Sequence, residues 1–243
     1  MNRNFNFNDY DAIPPKSINK PHMPVVLLCD ISGSMAGMPI KNLNASINRF
    51  SADICRDPKA ADMVDVMVIG FNEKPHIEQD WRPIADMRSV MFEAGGGTNL
   101  SSALELAVHK LRERGHLYVD EIGIDVRGPS IILITDGYGG DVSAISEIIR
   151  KRVADKKMIL WTLAVKGYDA PTIAKLSDGK RVFELVDENG YDFTEFFQFA
   201  AEFVKAVSTS APGQRIHIPD SKNPLKKENS NLQVPDLDDW VNM

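Results

Sequence analysis

What this chain of 243 residues has little of narrows it first. It has only two cysteines. Cys29 falls in an apolar run and Cys55 late in a helical pattern, so both read as small apolar side chains rather than a disulfide framework, and a reducing compartment follows. No stretch approaches the roughly 18 consecutive apolar residues of a membrane span. The start, MNRNFNFNDYDAIPPKSINK, is Asn-rich and has no apolar segment of the secretory type. Positive charge is short as well: 28 Lys and Arg face 34 Asp and Glu, a net charge of -6. That balance argues against holding phosphate backbones. The expectation is a soluble, cytoplasmic protein with neither membrane nor nucleic acid as a direct partner.

With 43% hydrophobic residues the chain can bury one substantial core. Four short continuous apolar runs, Pro24 to Asp30, Val64 to Phe71, Ser130 to Thr135 and Met158 to Val165, suit parallel strands covered on both faces. Helical stripes alternate with them. Ile40, Leu43, Ile47, Phe50 and Ile54 recur at spacings of three and four, behind Pro39 near the helix start. Leu100, Leu104, Ala107 and Leu111 form a second stripe, Ile145, Ile148 and Ile149 a third, and Phe193, Phe196, Phe197, Ala200, Phe203 and Val207 a fourth. The order predicts an α/β fold: a doubly wound, mostly parallel central sheet with helices on both faces. Lys74 to Ile84, with a proline near each end, reads as one short antiparallel edge strand. The domain spans 23–208, preceded by a flexible arm over 1–22 and followed by an extended tail over 209–243.

Three strand-to-helix junctions carry oxygen donors. Asp30-Ile31-Ser32-Gly33-Ser34 leaves the first strand, Gly95-Gly96-Gly97-Thr98 opens the Leu100 helix, and Thr135-Asp136-Gly137 leaves the strand SIILIT. Ligands of open α/β sheets bind beyond the carboxyl ends of the strands, where such loops meet. Two carboxylates, Asp30 and Asp136, and three hydroxyls, Ser32, Ser34 and Thr98, with no His or Cys among them, suit Mg²⁺ or Mn²⁺ rather than zinc. Asp141 reads as a helix-start cap, not a ligand.

The order Asp30-x-Ser32-x-Ser34, then Thr98, then Asp136 resembles the metal-ion-dependent adhesion site of von Willebrand factor A domains, a fold of Rossmann-like layout. More narrowly, DISGSMAGMPIKNLN, GGGTNLSSALE, the TDG strand end and TLAV resemble the bacterial TerY type associated with tellurite resistance, over roughly Met23 to Ser208. The resemblance implies that Ser32, Ser34 and Thr98 ligate the ion, with Asp30 and Asp136 holding it directly or through water. It further implies a non-enzymatic cytoplasmic adaptor that binds an Asp or Glu of a partner protein, in a stress-response or phage-defence system with a protein kinase and a protein phosphatase. The loop Tyr138-Gly139-Gly140 departs from the acidic or Pro-containing continuation of that pattern.

Two other classes stay open: a Mg²⁺-dependent hydrolase using a metal-bound water, and a structural subunit in which the ion only stabilises the fold. The nucleophile elbow, the dinucleotide fingerprint and the phosphate loop do not follow the first strand. The histidines His22, His76, His109, His116 and His217 share no spacing and read as solvated. Trp161 reads as core. Trp240, among Asp236, Asp238 and Asp239, reads either as a second docking element or as an anchor folding back on its own domain.

Overall fold

In β1 (Met23–Asp30) every residue is buried, and its side chains divide between two cores. Val25, Leu27 and Cys29 face one layer, while Val26 and Leu28 face the other, as a strand covered on both sides requires. The structure is a computed structural model, and it describes residues 15–165, 167–177, 181–186, 191–211 and 230–233. Trp240 with its acidic neighbours, His217 and the first fourteen residues lie outside the described residues.

The elements follow in the order α1 (Met38–Cys55), α2 (Pro58–Met63), β2 (Val64–Phe71), β3 (Pro75–Pro83), α3 (Leu100–His116), β4 (Ser130–Thr135), α4 (Ser143–Ala154), β5 (Ile159–Ala164), α5 (Ala170–Ser177), β6 (Val182–Leu185), α6 (Thr194–Thr209) and β7 (Leu232–Gln233). They build a seven-stranded sheet ordered β3-β2-β1-β4-β5-β6-β7. All neighbours pair in parallel except the outermost two pairs, β2 with β3 and β6 with β7. The buried stripes of α1 and α6 cover one face, and those of α3 and α4 cover the other. β1 pairs with β2 on one side and β4 on the other, so the strand order reverses between β1 and β4. Crevices of ligand-binding α/β sheets open at that position.

Local chemistry sets the helix starts. Asp57 accepts from the backbone N–H of Lys59 and Ala60 ahead of Pro58, and the Asn99 side chain accepts from Ser102 N, each satisfying a donor that the first turn leaves orphaned. Trp161 is fully buried among Phe183, Phe199 and Phe203.

Five features differ from the sequence reading. β3 runs for nine residues and is not a short strand. Ile148 is 49% exposed, because the buried face of α4 runs through Ile145, Ser146 and Ile149. Residues 230–233, within the expected tail, add the antiparallel strand β7: Leu232 is buried, and Glu195 accepts hydrogen bonds from Ser230 Oγ and Asn231 N. Residues 15–22 of the expected arm are pinned, with Pro15 buried and Lys16 and Lys20 paired to Asp62.

The fifth feature is His22, which is not solvated but 1% exposed. Its Nδ1 lies 2.6 Å from Asp65 Oδ2 and its Nε2 2.6 Å from the Ser17 carbonyl. Both ring nitrogens therefore face oxygen atoms of the protein. Tyr118 Oη also donates to Asp65 Oδ2 at 2.6 Å, and Arg114 Nε donates to Tyr118 Oη at 2.7 Å. Arg114 also lies over the Trp81 ring. This buried network ties the lead-in segment, the start of β2 and the end of α3 together below the sheet. Removing one partner leaves a buried charge uncompensated. His22→Ala is expected to cost about 3–5 kcal/mol of stability, measured as a lower urea midpoint; a loss below about 1 kcal/mol, the range of an exposed pair, would contradict the network's role.

Candidate metal centre

Parallel pairing of β1 with β4 in the register Cys29 to Ile134 brings the next residues, Asp30 and Thr135, side by side at the switch point. Thr135 Oγ1 donates to Asp30 Oδ2 at 3.0 Å and accepts from Gly137 N at 3.0 Å. The other oxygen, Asp30 Oδ1, accepts from Ser32 N at 2.9 Å, closing a tight turn out of β1. Ser32 Oγ and Ser34 Oγ lie 3.0 Å apart, and Ser34 Oγ donates to Asp136 Oδ2 at 2.9 Å. Asp136 Oδ1 accepts from Tyr138 N at 3.1 Å. Asp30, Ser32, Ser34 and Asp136 thus form one continuous hydrogen-bonded chain. Ser32 and both carboxylates are buried, and Ser34 is exposed at the rim.

Thr98 reaches the same edge differently. Its loop is bonded to the first loop through Gly33 N to Gly96 O and Gly95 N to Ile31 O. It also abuts the third loop. Gly139 has φ +123°, and a Cβ placed there would stand 2.8 Å from the Thr98 carbonyl oxygen. Leu100 N donates to Gly139 O. A glycine at 139 is what lets the third loop pass this close. The departure at Tyr138-Gly139-Gly140 therefore has a steric reason.

Sequence reasoning missed the residues that hold these loops. Asn44 and Asn48, one turn apart on α1, each grip an extended segment by both its N–H and C=O: Asn44 at Phe92, with both bonds 2.9 Å, and Asn48 at Val90, at 2.8 and 3.0 Å. Asn72 Nδ2 donates to Gly95 O, and Asn72 O accepts from Asn99 N. The only signal was the four-residue spacing of the two α1 asparagines on the polar side of the helix. Asp141 does what was expected of it, accepting from Ser143 N and Oγ at the start of α4.

The electrostatics suit a cation. Burial pushes the Asp30 carboxyl above its ordinary range; the bonds from Ser32 oppose that shift, and the Asp136 charge adds to it. Among the described residues there is no group of three or more His, Cys, Asp or Glu, so a metal here would depend on the hydroxyls of Ser32, Ser34 and Thr98 beside two carboxylates. Such a hard, oxygen-only donor set fits Mg²⁺ or Mn²⁺.

Residues 25–138 match the family model of the von Willebrand factor type A domain. No curated protein matches the chain. Among solved structures, the pilus adhesin SpaC from Lactobacillus rhamnosus GG in its open conformation is similar at TM-score 0.61 and 13% identity, over 77% of this chain and 30% of that one. A von Willebrand factor type A protein from Catenulispora acidiphila is similar at TM-score 0.54 and 15% identity, over 76% and 43%. Proximal thread matrix protein 1 from the mussel byssus, with a zinc-occupied adhesion-site motif, is similar at TM-score 0.51 and 18% identity, over 75% and 46%. At these identities the likeness is one of fold, and the chain spans less than half the length of each of these proteins. No helix among the described residues is long and apolar enough to cross a membrane.

Two predictions follow from the loop geometry. Gly139→Ala must hold a left-handed backbone and press on Thr98, a strain of about 1–3 kcal/mol. It is expected to weaken Mn²⁺ binding in calorimetry while leaving the circular dichroism spectrum unchanged; unaltered affinity would detach Thr98 from the centre. In EDTA, the raised Asp30 pKa means that its ionised form costs stability once pH rises above the carboxylate range. Asp30→Asn is therefore expected to melt at or above the wild-type temperature at pH 7, to lose that advantage at acid pH, and to show no metal-induced rise. A lower Tm in EDTA at pH 7 would mean that the ionised carboxylate stabilises the metal-free fold.

Proposed function

We propose that this chain grips an acidic residue of a partner protein through a divalent ion, Mg²⁺ or Mn²⁺, held by Asp30, Ser32, Ser34, Thr98 and Asp136. The observation that carries this reading is the pair of buried carboxylates linked through Ser34, whose partners are hydroxyls and backbone N–H groups rather than cationic side chains. A divalent ion offsets the two negative charges and offers an electrophilic position to a carboxylate from outside. Ser32 and Ser34 supply neutral oxygens, which add no further negative charge and keep the bound ion electrophilic toward an outside carboxylate. Thr135 and the Ser32 N–H hold Asp30 in place. Met38 and Tyr138, 57% and 55% exposed, follow the first and third loops and offer apolar surface to bury beside the charged contact. The zinc-occupied motif of the mussel protein supports the divalent-ion reading. The role is that of a non-enzymatic adaptor, as type A domains typically are. The TerY-type resemblance extends the proposal to a cytoplasmic stress-response or phage-defence system in which the partner is a protein kinase or phosphatase.

The test is a pull-down from native lysate with Mg²⁺ and with EDTA, using wild type and Asp30→Ala and read by mass spectrometry. A partner lost in both EDTA and the variant is the expected result. An unchanged partner set, with chelation only lowering Tm, would reduce the ion to a stabiliser of the fold.

A further inference from the structure

Away from the loop edge, on the outermost strand, β3 and the segment that follows it enclose a cleft of about 570 Å³ lined by Gln79, Arg82, Arg88 and Ser89 together with Glu78 and Asp80. Gln79 is 6% exposed and Arg82 7% exposed. The orientation of the Gln79 amide is set by its neighbour: Oε1 accepts from Arg88 N at 2.7 Å, so Nε2 points the other way as a donor. Among the described residues that Nε2 has no acceptor, and neither does the buried Arg82 Nε. Among the described residues neither Arg82 nor Arg88 forms an ion pair. The cleft's own acidic groups act on Arg82 at most through charge, and neither is hydrogen-bonded to it among the described residues. Asp80 accepts from Trp81 N at 2.7 Å, and Glu78 faces His76 Nε2 at 4.0 Å. Burial first, and then the charge of Arg88, push the Arg82 guanidinium below its ordinary value, while the charges of Asp86 and Asp80 oppose the shift.

Buried donors without acceptors cost about 1–3 kcal/mol each, and native proteins rarely leave two together without a reason. The surplus here is all of one kind: an amide N–H₂, two guanidinium groups and the Ser89 hydroxyl converge on one cleft. We propose that this cleft is a binding site for an oxyanion, a phosphoryl or carboxylate group, clamped by Arg82 and Arg88 with Gln79 Nε2 as a further donor. Guanidinium groups match such ligands geometrically and keep their charge when buried. The site is independent of the metal centre, since none of its residues belongs to the three loops.

The probe is inorganic phosphate, titrated into the full chain by calorimetry and by melting temperature. The titration is run in EDTA, so that no metal ion can act as the receptor, with chloride holding ionic strength constant. Acetate forms the parallel carboxylate arm. Saturable binding is expected. Arg88→Gln, an exposed substitution that leaves the fold intact, is expected to weaken it by about tenfold or more, the loss of one charge-assisted bond. Gln79→Glu supplies an acceptor and a negative charge from within; it should raise Tm without added anion and abolish the phosphate-induced rise. Tighter phosphate binding would identify a phosphoryl ligand and tighter acetate binding a carboxylate ligand, and either supports the site. No saturable binding beyond the chloride control, or binding unchanged in Arg88→Gln, would overturn it.

Discussion

A carboxylate buried at the end of β1 is the constraint from which the loop edge is built. Asp30 has no exposed surface and spends one oxygen on Ser32 N and the other on Thr135 Oγ1. Those two bonds shape the turn that aims Ser32 and Ser34 and tie β1 to β4 where the sheet reverses direction. Ionised carboxylates are expensive to bury, and this one stands near a second, Asp136. The protein keeps a local electrostatic cost at a point that its topology has left open. A cation relieves that cost, which makes the same two residues a source of affinity for one.

The opposite end of the sheet resolves its buried charge internally. Asp65, at the start of β2, meets His22 and Tyr118 through Oδ2 and forms an ion pair with Arg114. The contrast is instructive, because both ends bury an aspartate on a core strand. One end supplies its own counter-charges and is structural. At the other, hydroxyls and backbone N–H groups are the partners among the described residues, and the centre is left able to take a positive ion.

Between the two ends, the chain from β3 to α3 is long and has little regular structure, yet it is held closely. Asn44 and Asn48 act as a two-rung ladder, offering α1 as a substitute sheet edge to residues 90 and 92. Satisfying the backbone of an extended segment with side-chain amides keeps the Gly95–Gly97 turn in place without burying unpaired groups. Tertiary contact, not local propensity, is what orders that loop.

The sequence by itself determined the core strands and the main helices, because periods of two faces or of 3.6 residues report burial directly. The residue types at the three strand ends, Asp30, Ser32, Ser34, Thr98 and Asp136, were legible for the same reason: each follows an apolar run or opens a helical stripe. Only the tertiary structure decided what depends on partners distant in the chain. His22 read as solvated because nothing near it in sequence discloses Asp65 or Tyr118. Residues 230–233 read as tail because two strand residues carry no period. Gly139 looked like a departure from pattern until its closeness to Thr98 supplied the reason. Arg82 lay unremarked inside the edge segment Lys74 to Ile84, since burial of a guanidinium depends on what is packed over it and not on its neighbours along the chain.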